Sequence, residues 1–420
     1  METHFNDLRE SNEFLNLLFN HMNSAVLIAD ENLRIHHFND TFLTLFSKSK
    51  ENVLVKKFGG ASGCVFSVRE NKACGETSHC ERCVIRRAAL QTMVEKVPVD
   101  KMRMERTFYI DGKPTTKYLD ISTRHISFQG RKMILVILYD VTEIETKKLE
   151  LQAKQIQLDN DLNAAAGIQR SLLPQYLPSD GAAQIAWHFE PCRQIGGDIF
   201  NIHFPEKNLI DLYMLDVCGH GVSAALIAVS VSQFLQTARS TAGKESGLHS
   251  PRTILDSIEK AYPFERFDTY FTMIYMTIDL LAGTLKYGSA GHPPPVLLRS
   301  EGDLEVLDLH GPVIGFGAGN AFEEREVKVA QGDKIVLYTD GILEAYGPTG
   351  ELYGKKRLYK ALKKCRKGSV KEIVDTIHSD VKNFSQAREL DDDISILAIE
   401  FTGQKTTRDS REHSEPVNSS

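Results

Sequence analysis

Four aspartates at the ends of apolar runs are the residues best placed to do chemistry. Asp216 follows the strand-like Leu209–Leu215 and opens Asp216-Val-Cys-Gly-His-Gly-Val-Ser-Ala-Ala-Leu226, a glycine-rich turn that leads into a helix-like run. Asp198 lies in Gly196-Gly197-Asp198, Asp340 ends the strand-like Lys334–Thr339, and Asp391-Asp392-Asp393 precede the strand-like Ile394–Ile399. Singly, such residues read as turn residues or strand-end caps. Converging carboxylates repel unless a cation lies among them, so convergence implies hard divalent ions with oxygen ligands, Mg²⁺ or Mn²⁺. Two such ions lower the pKa of a bridging water and clamp a phosphoryl group for in-line attack. That chemistry needs no nucleophilic side chain, and the chain contains no Walker-type phosphate loop.

A second constellation is Cys64-x9-Cys74-Gly-x4-Cys80-x2-Cys83, with His79 as a further donor. Thiolates ligate soft metals, and a two-residue spacing lets neighbouring turns converge on one ion. Zinc, an iron–sulfur cluster, a redox disulfide switch and ordinary reduced thiols are the four readings of this cluster. Cysteines at this density in a long chain do not form a secreted disulfide scaffold.

The rest of the chain must position these groups. Its 420 residues are 42% hydrophobic and 25% charged, as in a soluble globular protein of two or three domains. A net charge of −6 argues against nucleic acid as the partner. No apolar run is long enough to span a membrane, and the polar start Met-Glu-Thr-His-Phe-Asn-Asp predicts a cytoplasmic protein without a secretory leader.

After an extension at residues 1–10, residues 11–140 read as an α+β sensor module: a helix, strands around the Asp30-Glu-Asn turn, then strands at Phe108–Ile110, Thr116–Ser122 and Lys132–Tyr139. Residues 141–175 predict a long helix. Ile144, Leu151, Leu158, Ala165 and Leu172 recur every seventh position, so the helix is expected to pair with a copy of itself in a coiled-coil homodimer. Pro174 and Pro178 stop it. Residues 176–402 alternate paired strands with grouped helices, predicting two antiparallel sheets flanked by helices. The polar tail at 403–420 is expected to be disordered.

Two resemblances follow from these blocks. "AVLIADENLRIHHFNDTF" and "ILVILYDVTEIE" resemble the beginning and end of a PAS domain, in a cysteine-bearing variant known from bacterial signalling proteins. "AAGIQRSLLP", "IGGDIFNI", "LDVCGHGVSAALIA", "SAGHPPPVLL", "GPVIGF", "DKIVLYTDGILEA" and "DDDISILAIE" are similar, in order, to the SpoIIE/RsbU-type branch of the PPM (type 2C-like) serine/threonine phosphatases. That resemblance implies a β-sandwich in which Asp216 bridges two Mn²⁺ or Mg²⁺ ions and the Val217 carbonyl holds one of them. Asp340 and Asp392 would ligate the second-metal side, and Asp198 the ion pair or its waters.

Asn201 stands where the family usually carries a second acid, and with Asp393 it is a secondary ligand candidate. Ser395 stands where threonine is usual and keeps the hydroxyl. His220 is a general acid for the departing oxygen or a residue that shapes the turn. His292 is expected to be structural. The resemblance also implies a phosphorylated STAS-type anti-sigma-factor antagonist as substrate, dephosphorylated under control of the sensor. The alternative is a phosphoprotein-binding module without turnover. A nucleotide cyclase is set aside because Gly196-Gly197-Asp198 continues Ile-Phe rather than Glu-Phe.

Overall fold

A computed structural model describes residues 8–128, 130–175, 183–206, 208–241, 250–317, 322–386 and 390–402. The chain divides into two compact units, Met1–Gln157 and Leu158–Ser420.

The first unit runs α1 (Leu8–Asn20), β1 (Ala25–Asp30), β2 (Ile35–Phe38), α2 (Asp40–Phe46), α3 (Phe58–Ser62), α4 (Val65–Arg69), α5 (Val84–Leu90), β3 (Val99–Ile110), β4 (Lys113–Phe128) and β5 (Arg131–Asp140). The strands form one antiparallel sheet in the order β2-β1-β5-β4-β3. Asn39 makes the turn from β2 into α2. Its Oδ1 accepts from Phe42 N (3.2 Å) as the helix cap and from Val26 N (2.9 Å) on the neighbouring strand. The helix then buries Phe42 and Phe46 beside Phe58 and Phe108, a core on one face of the sheet. The strand expected at Phe108–Ile110 begins much earlier, at Val99. Its added residues include Asp100, Lys101, Arg103 and Glu105, because β3 is an edge strand and turns half its side chains to water.

The linker helix α6 (Thr142–Ser171) starts where Asp140 Oδ1 accepts from Thr142 N at 3.0 Å. Ile144, Leu151 and Leu158 are 69%, 67% and 57% exposed, so the sevenfold apolar stripe lies in solvent along this half. Farther on, Ala166 and Gln169 are buried.

The second unit runs β6 (Ala183–Glu190), β7 (Asp198–Glu206), β8 (Leu209–Val217), α7 (Val222–Thr241), α8 (Pro251–Ala261), α9 (Phe264–Phe267), β9 (Phe271–Asp279), β10 (Thr284–Ala290), β11 (Val296–Leu298), β12 (Leu304–Val306), β13 (Arg325–Lys328), β14 (Lys334–Tyr338), α10 (Asp340–Glu344), α11 (Gly354–Cys365), α12 (Val370–Ser385) and β15 (Ile394–Phe401). Two antiparallel sheets result, β13-β10-β9-β8-β7 and β12-β11-β14-β15-β6.

Period-two alternation builds the layers. Ile335, Leu337, Leu397 and Ile399 join Leu212 and Met214 in the core between the sheets. Val336, Tyr338, Ile396 and Ala398 face the other way, onto Leu358 of α11 and Ile373 and Ile377 of α12. Each such buried aliphatic contributes roughly 1.5–3 kcal/mol. Tyr213 reaches outward, its hydroxyl 2.9 Å from Ser232 of α7, so α7 covers the outer face of the first sheet.

Strands β7 and β12 were not among those expected. The Gly196-Gly197-Asp198 turn masks the start of β7, and the polar Asn201 and His203 break its apolar pattern. The tail at 403–420 and the start of the extension lie outside the described residues.

Candidate metal centre

Antiparallel pairing of β7 with β8 sets Asp198 directly opposite Asp216. From the other sheet, Thr339 follows β14 as the N-cap of α10 and Asp340 opens that helix, while Asp392 sits two residues before β15. Asp198 joins the sheets. Its carboxylate is 1% exposed, and Oδ2 accepts from Thr339 Oγ1 (2.8 Å) and Ser395 Oγ (2.6 Å). Ser395 N in turn donates to Thr339 Oγ1 at 3.0 Å. The serine in place of the usual threonine therefore supplies the hydroxyl that the site uses.

Burial and mutual repulsion dominate the electrostatics. Burial pushes Asp216 up to about 8, helped by the negative charges of Asp340 and Asp392. Burial raises Asp392 to about 6, with the charges of Asp340 and Asp393 adding to it although a hydrogen bond donated by Asp393 N pulls the other way. Asp198 is held well above the ordinary carboxylate range by burial, then by the charges of Asp216 and Asp393. Asp340 Oδ1 is buried without a hydrogen-bond partner. A hard oxygen donor set that stays partly protonated on its own, with one orphaned oxygen, fits a divalent cation of the Mg²⁺ or Mn²⁺ kind.

The neighbours of these acids are braces. Asp393 accepts from Cys192 N (2.8 Å), Gly197 N (2.6 Å) and Asp198 N (3.3 Å), so its carboxylate is directed at backbone amides. Gly196 and Gly341 make this approach possible. A Cβ at Gly196 would lie 2.1 Å from Asp393 Oδ2, and one at Gly341 2.1 Å from the Asp393 carbonyl oxygen. The Val217 carbonyl comes so near Gly197 that a Cβ there would stand 2.7 Å from it.

Asn201 is three residues along the strand from Asp198, hence on the opposite face. Its Nδ2 donates to the Leu172 carbonyl (2.8 Å) at the end of the linker and its Oδ1 accepts from Ile202 N (2.7 Å). The structure thus turns Asn201 toward the linker. His220 is exposed at the tip of the turn, between Gly219 and Gly221 at φ of 93° and 84°. His292 is buried with Nδ1 2.8 Å from Thr272 Oγ1, and burial lowers it to about 3, which keeps it neutral.

Two contributors carried no chemical motif. Thr339 is one. The other is Gln169 of α6, 2% exposed, whose Nε2 donates to the carbonyls of Gly196 (2.8 Å) and Asp198 (3.4 Å) and whose Oε1 accepts from Gly196 N (3.3 Å). A usable signal existed: Leu162, Ala165, Ala166 and Gln169 follow helical spacing, and three of them pack with Ile195 and Ala225. A lone amide in an apolar stripe marks a buried polar contact.

In the first unit, all four cysteines are free thiols lining one cavity of ≈ 60 Å³, with walls that include Phe58, Phe66 and Arg86. Cys64 and Cys83 stand at the N-termini of α4 and α5. Burial raises the Cys74 thiol. Cys80 is lowered despite burial, since its sulfur accepts from Thr77 Oγ1 (3.0 Å) and Gly75 N (3.1 Å) beside Arg86. His79 stacks on Phe66 at 3.6 Å between ring centroids, with Nδ1 2.8 Å from Ser78 Oγ.

Comparison with known proteins agrees with this architecture. The Stage II sporulation protein E (SpoIIE) family model matches residues 207–402, and a PAS domain model matches residues 13–75. Protein IcfG of Synechocystis is 27% identical over 57% of this chain and 41% of its own length. Phosphoserine phosphatases RsbP and RsbU of Bacillus subtilis are 24% and 26% identical over 59% of the chain, covering 60% and 72% of those proteins. The chain thus spans less than two thirds of the length of the first two relatives. The SiaA-PP2C domain of Pseudomonas aeruginosa superposes with a TM-score of 0.52 at 23% identity, over 59% of this chain and 99% of that one, and shares the fold. Residues 207–402 are thus similar to the SpoIIE-type PPM phosphatase domains, and residues 13–75 to the PAS domains.

Proposed function

We propose that this chain is a metal-dependent protein serine/threonine phosphatase controlled by its PAS domain. The observation that carries this is the convergence of Asp198, Asp216, Asp340 and Asp392 from two sheets, with the carboxylates of Asp198, Asp216 and Asp392 raised by burial and by the negative charges around them. Two Mn²⁺ or Mg²⁺ ions held there would supply an activated water and a clamp on the phosphoryl oxygens. In this reading Asp216 and the Val217 carbonyl would hold the ions together with Asp340 and Asp392 from the second sheet, and Asp198 would hold them or their waters. Asp393, Thr339 and Ser395 fix the directions of those carboxylates. His220, exposed at the mouth of the turn, is free to give a proton to the departing serine oxygen.

The names of the two Bacillus subtilis relatives support phosphoserine as the residue hydrolysed. The substrate we propose is a phosphorylated STAS-type anti-sigma-factor antagonist, met in the cytoplasm. Dimerisation would use the exposed stripe Ile144, Leu151 and Leu158. The four thiols would hold the sensor's soft metal, as Zn²⁺ or an iron–sulfur cluster, or act as its redox couple.

The test is turnover of a phosphoserine protein by the purified full chain with Mn²⁺. Activity is expected to vanish in Asp216→Asn and in Asp340→Asn, and undiminished turnover in both would refute the mechanism.

A further inference from the structure

On the far side of the second sheet, away from the aspartates, a second cluster of metal-ligating side chains faces α12. His188 and Glu190 are two residues apart on β6 and so share a face. They pair in register with Ile396 and Ile394, whose side chains pack with α12. From α12 come His378 and, one turn on, Lys382. His378 Nε2 is 2.9 Å and His188 Nε2 3.5 Å from Glu190 Oε2. The two imidazoles lie 3.8 Å apart by ring centroids, and the three donor atoms fall within 4.8 Å of one another.

We propose that His188, Glu190 and His378 form a binding site for a borderline divalent transition ion, Zn²⁺ foremost, that fastens edge strand β6 to helix α12. Bonds of about 2.0–2.2 Å in a tetrahedron set donors about 3.3 Å apart. The observed 2.9 and 3.5 Å to Glu190 straddle that spacing, so these two donor pairs need shifts of only a few tenths of an ångström to take the ion. Two imidazoles and one carboxylate suit zinc, whereas the all-oxygen aspartate centre suits Mg²⁺ or Mn²⁺. His188 Nε2 is buried without a well-formed hydrogen bond, as expected of a donor atom in want of a partner. The side chains of the three are 32%, 30% and 26% exposed, which leaves a path for the ion and a water for its fourth position.

Lys382 is the competitor. Its ammonium pairs with the other oxygen of Glu190, and its side chain is 34% exposed, free to swing into solvent when an ion enters. This gives the site a signature that a merely structural ion cluster lacks: removing the lysine should improve metal binding.

The experiment is zinc binding to the full chain by equilibrium dialysis, with saturating Mg²⁺ to occupy the aspartates. Co²⁺ serves as the optical probe of tetrahedral geometry. Wild type is expected to hold one zinc per chain more than His378→Ala or His188→Ala, and its tetrahedral Co²⁺ bands should weaken in both variants. Lys382→Gln is expected to bind this zinc at least about tenfold more tightly, and it keeps the test valid if a histidine variant fails to fold. Equal stoichiometry in wild type and the folded histidine variants, or no tightening in Lys382→Gln, would overturn the proposal. Because the readout is zinc bound rather than phosphate released, it stands or falls separately from the phosphatase reading.

Discussion

Replacing Gln169 by alanine is the sharpest test of how the linker helix reaches the aspartate centre. The amide donates to the Gly196 carbonyl at 2.8 Å, accepts from Gly196 N at 3.3 Å, and donates a longer bond to the Asp198 carbonyl at 3.4 Å. Each of the first two contributes about 1 kcal/mol, and orphaning a buried N–H or C=O costs roughly 1–3 kcal/mol. A total of about 3 kcal/mol corresponds to roughly 150-fold in an equilibrium constant. If that energy anchors the Gly196-Gly197-Asp198 turn, the variant should need roughly 10–100-fold more Mn²⁺ for half-activation, with most of kcat returning at saturation. Were it spent on folding alone, the melting temperature would fall by about 6–12 °C instead. The assay is a Mn²⁺ activation curve at fixed substrate beside a melting curve. Gln169→Glu is the comparator, since it keeps an acceptor for Gly196 N but sets a carboxylate against two carbonyl oxygens. A folded Gln169→Ala protein with the wild-type half-activation concentration would refute the reasoning.

Two further outcomes follow from charge and exposure. Asp216 is a buried acid whose folded pKa is raised to about 8, so its effect on stability is favourable below the ordinary carboxylate range and lost as pH climbs toward 8. In EDTA, Asp216→Asn should therefore gain in melting temperature over wild type as pH rises from about 5 to 8, and a constant difference would contradict the raised value. On the linker, Leu151→Glu with Leu158→Glu places charge on positions 67% and 57% exposed. The pair should leave the melting temperature of the isolated chains unchanged while shifting sedimentation from dimer to monomer, and an unchanged dimer would rule out this stripe as the interface.

Much of this protein can be read along the chain because its signals are local. Apolar runs ending in aspartate mark Asp216 and Asp340. Pro251 starts α8 and Ser250 caps it, both local features. The sevenfold stripe marks the linker. The cysteine cluster was visible from spacing, although spacing alone did not say that the four thiols share an apolar cavity.

What only tertiary structure decided is the direction of side chains. Asp393 and Asp392 are adjacent and chemically identical, yet Asp393 accepts three backbone N–H groups brought from about two hundred residues away while Asp392 faces the other acids. Asn201 matched a family ligand position by count, but strand alternation turns it to the linker. Gln169 and Thr339 hold the site without any motif of their own, and His188, Glu190 and His378 meet only because β6 pairs with β15 under α12. The sequence by itself determined which residues could ligate and most of the segments that would be strand or helix, β7, β12 and the first half of β3 excepted, since both depend on residue type and local periodicity. Which oxygen or nitrogen points at which neighbour was decided by antiparallel register between strands far apart in the chain, a property of pairing that no local pattern encodes.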